Sequence, residues 1–362
     1  GFSGELGSGG SRNSMKITTD GTEHIMVMDE QQWSDSDETP QEFLFELVKP
    51  KDIATATVKL YLNDGYTVPE VDPDPPVAFD TPAYGEMIAR SCLSTGNNIR
   101  IKRVLQQLRD GKPTTIAFLG GSITQGSLAS CQENCYASLV FQWWQQHFPN
   151  ARFINAGIGG TTSQFGVARV EADLLQYRPD MIFVEFSVND DCNAFFMETY
   201  EGLVRKILSA GAAVMLIHNV RYDNMESAED VHLKIGQHYA LPCVSMRSTI
   251  YPLVASGRLP NRQITPDNLH PNDEGHRLVA SVITHFLEII RSASTPNCQP
   301  AGLPAPLTAN QYENSVRCQN YNSQPVLEGF QPDDTPQEHI TQMFRNGFTA
   351  WHVGDRITFW VE

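Results

Sequence analysis

Apolar residues between positions 113 and 290 alternate between two rhythms. Five short runs are strand candidates, most of them largely apolar: 115–119 (TIAFL), 152–155 (RFIN), 181–186 (MIFVEF), 213–217 (AVMLI) and 241–245 (LPCVS). Elsewhere the apolar positions recur near every 3.6 residues, in YASLVFQWWQQHF, QFGVARVEADLLQY, ETYEGLVRKILSAG, AEDVHLKIGQHYA and a final stretch over 273–290. A run that is apolar on both faces suits a strand inside a parallel sheet, and helical crossovers then cover that sheet on both sides. Another helical piece, IRIKRVLQQLRDGK, precedes the first run and ends at Gly111. The pattern predicts a three-layer α/β/α domain over 97–292.

The flanks read differently. Residues 1–14 (GFSGELGSGGSRNS) are rich in glycine and serine and suggest a tag or linker. From 15 to 67 the pieces KITTDG, HIMVMD, EFLFELVK and TATVKLYL have strand length and partial alternation. A proline-rich stretch, VPEVDPDPPVAFDTP, opens an extended connector over 68–96. After Arg291 the chain is loop-like, with five prolines between 296 and 325, and strand signals return in FTAWHVG and RITFWVE. Neither flank is large enough for a comfortable core alone. The expectation is that 15–67 and 293–362 share one smaller β-sandwich, with two separate modules as the alternative.

Charge narrows the partners. With 26 basic and 42 acidic residues the formal charge is −16, which repels nucleic-acid phosphates and anionic membrane surfaces. No apolar run approaches the roughly 18 residues of a membrane span. The first 30 residues lack a signal-peptide core, so the chain reads as cytoplasmic, or as secreted after removal of a signal. Seven cysteines (Cys92, Cys131, Cys135, Cys192, Cys243, Cys298 and Cys318) form no C-x-x-C pair and no zinc-type cluster. Scattered thiols are the reading that results, with a local bridge between Cys131 and Cys135 left open.

Four stretches carry chemistry. In TIAFLGGSIT, Gly120 and Gly121 allow positive φ or close backbone approach, and Ser122 stands at the carboxyl end of a strand, where open α/β sheets place ligands. The plainer reading makes Ser122 a helix cap. In NAGIGGTTS (155–163), Gly160 can offer a backbone N–H to an anion, with Gly159 its neighbour and rival. In SVNDD (187–191), Asn189 can point its amide into the same space, unless it merely forms a turn. In DNLHPNDEGH (267–276), Asp267 lies three residues before His270, and Pro271 keeps His270 out of regular helix. Such a pair can fix a tautomer and stabilise an imidazolium, or it can be a cap beside a surface histidine.

Together these blocks resemble the SGNH, or GDSL-like, hydrolase superfamily over about residues 113–290. The resemblance implies a flavodoxin-like fold, Ser122 as nucleophile, His270 as general base oriented by Asp267, and an oxyanion hole from Ser122, Gly160 and Asn189. It implies no metal or organic cofactor. Two departures stand out: Gly121 replaces the family's first-block aspartate, and Ser187 replaces the glycine of G-x-N-D. An SGNH domain beside a β-sandwich is similar to carbohydrate esterases that deacetylate xylan or mannan. The expected partner is thus an acetylated oligo- or polysaccharide, with Gln125, Asp190, Trp351 and His352 as substrate-binding candidates. Trp351 and Trp360 can stack on sugars, although terminal-strand aromatics more often join a core. A lysophospholipase or thioesterase with the same triad is the alternative enzyme, and a carbohydrate-binding protein with an inert hydrolase domain is the alternative class.

Overall fold

The computed structural model describes residues 2–8, 11–17, 42–47, 77–79, 81–293, 302–335 and 345–360. The chain divides into two compact units, 1–75 and 76–362. In the first, β1 (Phe2–Ser8), β2 (Ser11–Ile17) and β3 (Glu42–Leu47) form an antiparallel sheet ordered β2-β1-β3. Composition had suggested a linker over 1–14. The backbone pairs there instead, from Phe2↔Ile17 to Ser8↔Ser11, and the Gly-Gly between the strands is a two-residue hairpin signal. EFLFELVK contains β3, whereas HIMVMD and TATVKLYL lie outside the described residues.

The second unit opens with α1 (Pro82–Ala89), where Thr81 caps the helix by accepting from the Tyr84 N–H and proline occupies the first turn. Next come β4 (Cys92–Ser94) and α2 (Ile99–Arg109). The second half of the expected connector is therefore regular structure. Alternating strands and helices follow: β5 (Thr114–Gly120), α3 (Ser122–Gln125), α4 (Tyr136–His147), β6 (Ala151–Gly157), α5 (Ser163–Asp173), β7 (Met181–Glu185) and α6 (Ala194–Ser209). Then come β8 (Ala213–His218), α7 (Glu229–His238), β9 (Cys243–Ser245), α8 (Ile250–Ala255) and the long α9 (Asp273–Ser292).

The sheet order is β4-β9-β8-β7-β5-β6, parallel except for β4, which runs antiparallel along the edge of β9. All five predicted strands are present, in the flavodoxin-like order. Alternation within β5 explains why its residues carry no charge. Ile116 and Phe118 join the core beneath α2, α4 and α9, whereas Ala117 and Leu119 join the one beneath α5, α6 and α7. Phe118 stacks on Phe183 of the neighbouring strand at 4.5 Å. Among the described residues no helix is long and apolar enough to cross a membrane. Cys131 and Cys135 are free thiols.

The described part of the C-terminal segment docks on the helices of the second unit. Leu307 and Thr308 donate backbone N–H bonds of 2.6 and 2.7 Å to the buried Glu201 carboxylate on α6, which also accepts from Tyr239 Oη. Gly202 leaves room for the segment, since a Cβ there would lie 2.9 Å from the Glu313 nitrogen. Further on, β10 (Val326–Glu328) pairs with β13 (Arg356–Thr358), and β11 (Gln331–Asp333) pairs with β12 (Gly347–Thr349). The last two correspond to the strand signals in FTAWHVG and RITFWVE. Replacing Glu201 by Ala strands two backbone donors, and each buried unpaired polar group costs about 1–3 kcal/mol. We expect a lower midpoint in thermal denaturation and faster proteolysis within residues 302–317.

Candidate active site

Register sets the stage. Gly120 pairs with Gly157 on one side and with Glu185 on the other, so three strands end side by side. The loops that carry Ser122, Gly160 and Asn189 therefore leave the sheet at one level. Gly120 and Gly121 both have ordinary negative φ; what they provide is space. A Cβ on Gly120 would lie 2.5 Å from the Glu185 carbonyl oxygen, and one on Gly121 would lie 2.9 Å from Asn189 Cγ. With glycine at 121, the Asn189 amide occupies the space that a side chain there would take.

Ser122 opens α3, where N–H groups have no acceptor within the helix. Its Oγ lies 2.8 Å from His270 Nε2. On the far side of the ring, Nδ1 lies 2.6 Å from Asp267 Oδ2, while Asp267 Oδ1 accepts from the His270 and Leu269 backbone N–H groups. Partial burial works against the Asp267 charge, but these bonds from His270 outweigh it and hold the carboxyl below its ordinary value. With Nδ1–H committed to Asp267, Nε2 is left to accept the serine proton. Asn268 adopts a left-handed conformation at φ 65°, which asparagine tolerates, and its carbonyl accepts from the Tyr222 N–H. The following helix is fixed to the Ser122 side of the cleft, since Asp273 accepts from the Ser130 backbone at 2.8 Å and from its hydroxyl at 2.6 Å.

Gly159 and Gly160 separate by function. The Gly159 N–H donates to Gln125 Oε1 at 2.7 Å, whereas Gly160 is exposed, with φ 68°. Gln125 is thus bonded to the loop that presents Gly160, and it remains partly exposed. Asp190 requires a correction. Its side chain has no exposure; it accepts from the Ser163 N–H at the start of α5 and pairs with His232 Nε2 at 3.0 Å. A carboxylate with both oxygens engaged in the interior holds the loops and does not reach substrate. Trp351 is 67% exposed and Trp360 81%, so neither joins a core. The His352 side chain is 85% exposed, and no contact links it or Trp351 to Ser122 among the described residues.

Two groups escaped the sequence reading. Fully buried Arg169 donates to the carbonyls of Gly120 and Ala156, bracing the backbone behind the turn that leads to Ser122, and pairs with Asp173 at 2.9 Å. Asp173 also meets Arg317 and Arg345, which ties the C-terminal segment to that brace. The i,i+4 pair of opposite charges at 169 and 173 is the signal that could have found it. The other is Glu185, buried beneath Thr124 and Ser187, whose carboxyl burial pushes up to about 7. Among the described residues no group of three or more His, Cys, Asp or Glu is placed to hold a metal.

Glu185 has a measurable pH signature. Because its folded value lies above its ordinary 4.5, the neutral acid favours folding fully below pH 4.5, and that contribution is lost as pH rises through 7. The loss amounts to about 3 kcal/mol at pH 8. Glu185→Gln should flatten the fall in stability between pH 5 and pH 8, as read by urea denaturation; parallel wild-type and variant curves would refute the assignment.

Residues 118–278 match the GDSL-like Lipase/Acylhydrolase family. The thioesterase 1/protease 1/lysophospholipase L1 of Escherichia coli K12 is 27% identical over 197 residues, covering 51% of this chain and 88% of that protein. An arylesterase of Vibrio mimicus is 23% identical over 184 residues, covering 48% and 87%. A crystal structure described as a two-domain esterase (CEX) active on acetylated mannans is 53% identical, with a TM-score of 0.70 and coverage of 74% of this chain and 73% of that one. The chain belongs to the GDSL-like lipase/acylhydrolase family and is a carboxylic ester hydrolase.

Proposed function

We propose that the enzyme removes O-acetyl groups from mannan- or xylan-type polysaccharides or their oligosaccharides. The observation that carries this reading is the 2.8 Å contact of Ser122 Oγ with His270 Nε2, in a chain 53% identical to an esterase described as active on acetylated mannans. Serine is a weak nucleophile at its ordinary pKa, so His270 takes its proton as the oxygen attacks the acetyl carbonyl. Asp267 holds the imidazole and stabilises the imidazolium that results. The N–H groups of Ser122 and Gly160 and the Asn189 amide receive the oxyanion, each worth about 3–4 kcal/mol of transition-state stabilisation. His270 then gives its proton to the leaving sugar oxygen, which departs as a hydroxyl, and activates the water that releases acetate from Ser122.

Sugar selectivity on this reading comes from the β-rich flanks, 15–67 and 293–362, as an accessory sandwich. The exposure of Trp351 and Trp360 supports it, because an uncovered indole face suits stacking on a sugar ring.

Ser122→Ala should fold normally and lose labelling by a serine-directed fluorophosphonate; labelling that persists would remove Ser122 from the mechanism. Asp267→Asn should lower kcat by orders of magnitude, as loss of the orienting carboxylate does in the serine-protease template. A loss below about threefold would instead indicate a Ser-His dyad. For the substrate, mass spectrometry of acetylated manno- and xylo-oligosaccharides should show successive losses of acetyl. Preference for octanoyl over acetyl esters would favour the lysophospholipase or thioesterase reading. Trp351→Ala should weaken deacetylation of oligosaccharides while sparing p-nitrophenyl acetate.

A further inference from the structure

The amino-terminal ends of the strands hold a second concavity, across the sheet from Ser122. It has a volume of about 480 Å³ and lies between α2, the Arg178 turn and the starts of β7 and β8. The seven residues of β5, at about 3.3 Å each, put it roughly 20 Å from the catalytic cluster. Three arginines line it: Arg100, Arg103 and Arg178. The one carboxylate in the lining, Asp180, is committed, since its Oδ2 accepts from the Thr115 N–H at 2.8 Å.

This concentration of positive charge runs against the chain as a whole. The protein carries −16, yet α2 (IRIKRVLQQLR) has four cations and no acid. No carboxylate pairs with Arg100 or Arg178 among the described residues. Burial, and then the neighbouring Arg103 charge, both press the Arg100 guanidinium below its ordinary value. Arg178 sits at φ 51°, a left-handed conformation uncommon for a side chain of this size. Three arginines against one carboxylate leave the concavity net positive, and the pairing that Arg100 and Arg178 do not find among the described residues is left to a ligand. Val104, Leu175 and Pro179 complete the wall, and the volume exceeds what a bare inorganic ion needs.

We propose that this cavity binds a small organic oxyanion, its charged group held by Arg100 and Arg178 and its body resting on the apolar wall. The arginine fork suits carboxylate and phosphate alike. The site is independent of the acetyl-ester chemistry and shares no residue with it.

Isothermal titration calorimetry of the full chain with citrate, and separately with inorganic phosphate, tests this against sodium chloride at matched ionic strength. Saturable binding is expected with at least citrate, and a stronger response to citrate would assign the carboxylate class. Arg100→Glu and Arg178→Asn, the latter chosen because asparagine tolerates positive φ, should each weaken binding about tenfold or more, as loss of a charged hydrogen bond does. Both variants should retain wild-type hydrolysis of p-nitrophenyl acetate, which verifies their folding, and Ser122→Ala should bind as the wild type does. Absence of saturable binding by either anion, unchanged affinity in both arginine variants, or competition between citrate and p-nitrophenyl acetate would each overturn the proposal.

Discussion

At the carboxyl end of β5 two successive positions admit no side chain, and the arrangement of groups around Ser122 depends on that closeness. The Glu185 carbonyl and Thr124 crowd Gly120, and the Asn189 amide lies against Gly121. Because no Cβ separates them, the Gly120 backbone lies directly against the Glu185 carbonyl, and the Gly121 backbone against the Asn189 side chain. The Gly120 carbonyl accepts from both Ile158 N–H and Arg169 Nη2, so the Ser122 turn and the loop that leads to Gly160 share one anchor. A donor array fixed before substrate arrives pays no reorganisation cost when charge develops on the carbonyl oxygen.

Beneath this surface lies a polar layer that a fold selected for stability alone would avoid. Glu185, Asp190, His218 and His232 are all buried; burial drives His218 well below its ordinary value, and among the described residues neither of its ring nitrogens has a hydrogen-bond partner. Burying such groups costs free energy unless they are bonded. Asp190 shows the return: one oxygen fixes the start of α5 and the other fixes His232, whose ring stacks on Tyr200 at 3.6 Å. The loops after β6 and β7, which carry Gly160 and Asn189, are thereby tied to each other from below.

The parts of this structure that local chemistry dictates were legible in the sequence. A strand buried on both faces must be apolar throughout, and so the inner parallel strands were readable, while the edge strand β6 was readable from its place between two helical stretches; a carboxylate three residues from a histidine in a loop has few geometries open to it, and so was the Asp267–His270 pair. Features set by tertiary partners were not legible. β4 is three residues long and exists because β9 offers it an edge. Asp190 follows Asn189 in sequence, which suggested a shared role, but the turn after β7 sends one side chain toward Gly121 and the other into the core. Trp351 and Trp360 carry the composition of core residues, and only the folded chain reveals that they stand exposed among the described residues.

The two halves of the catalytic cluster reach their positions by different routes, and this bears on how the site tolerates change. Ser122, Gly160 and Asn189 inherit their spacing from strand register, which cannot slip by one residue without turning buried side chains to the wrong face. His270 has no strand to place it. Its orientation comes from Asp267 within the same loop, and its approach to Ser122 comes from the docking of α9, through Asp273 on Ser130 and through the Tyr136 N–H on His276 Nδ1. Burial pushes His276 down to about 4, so it stays neutral and able to accept that bond at physiological pH. The serine side is thus held by the sheet, and the histidine side by a few hydrogen bonds at the start of one helix. The latter is the part of the site that disturbance would loosen first.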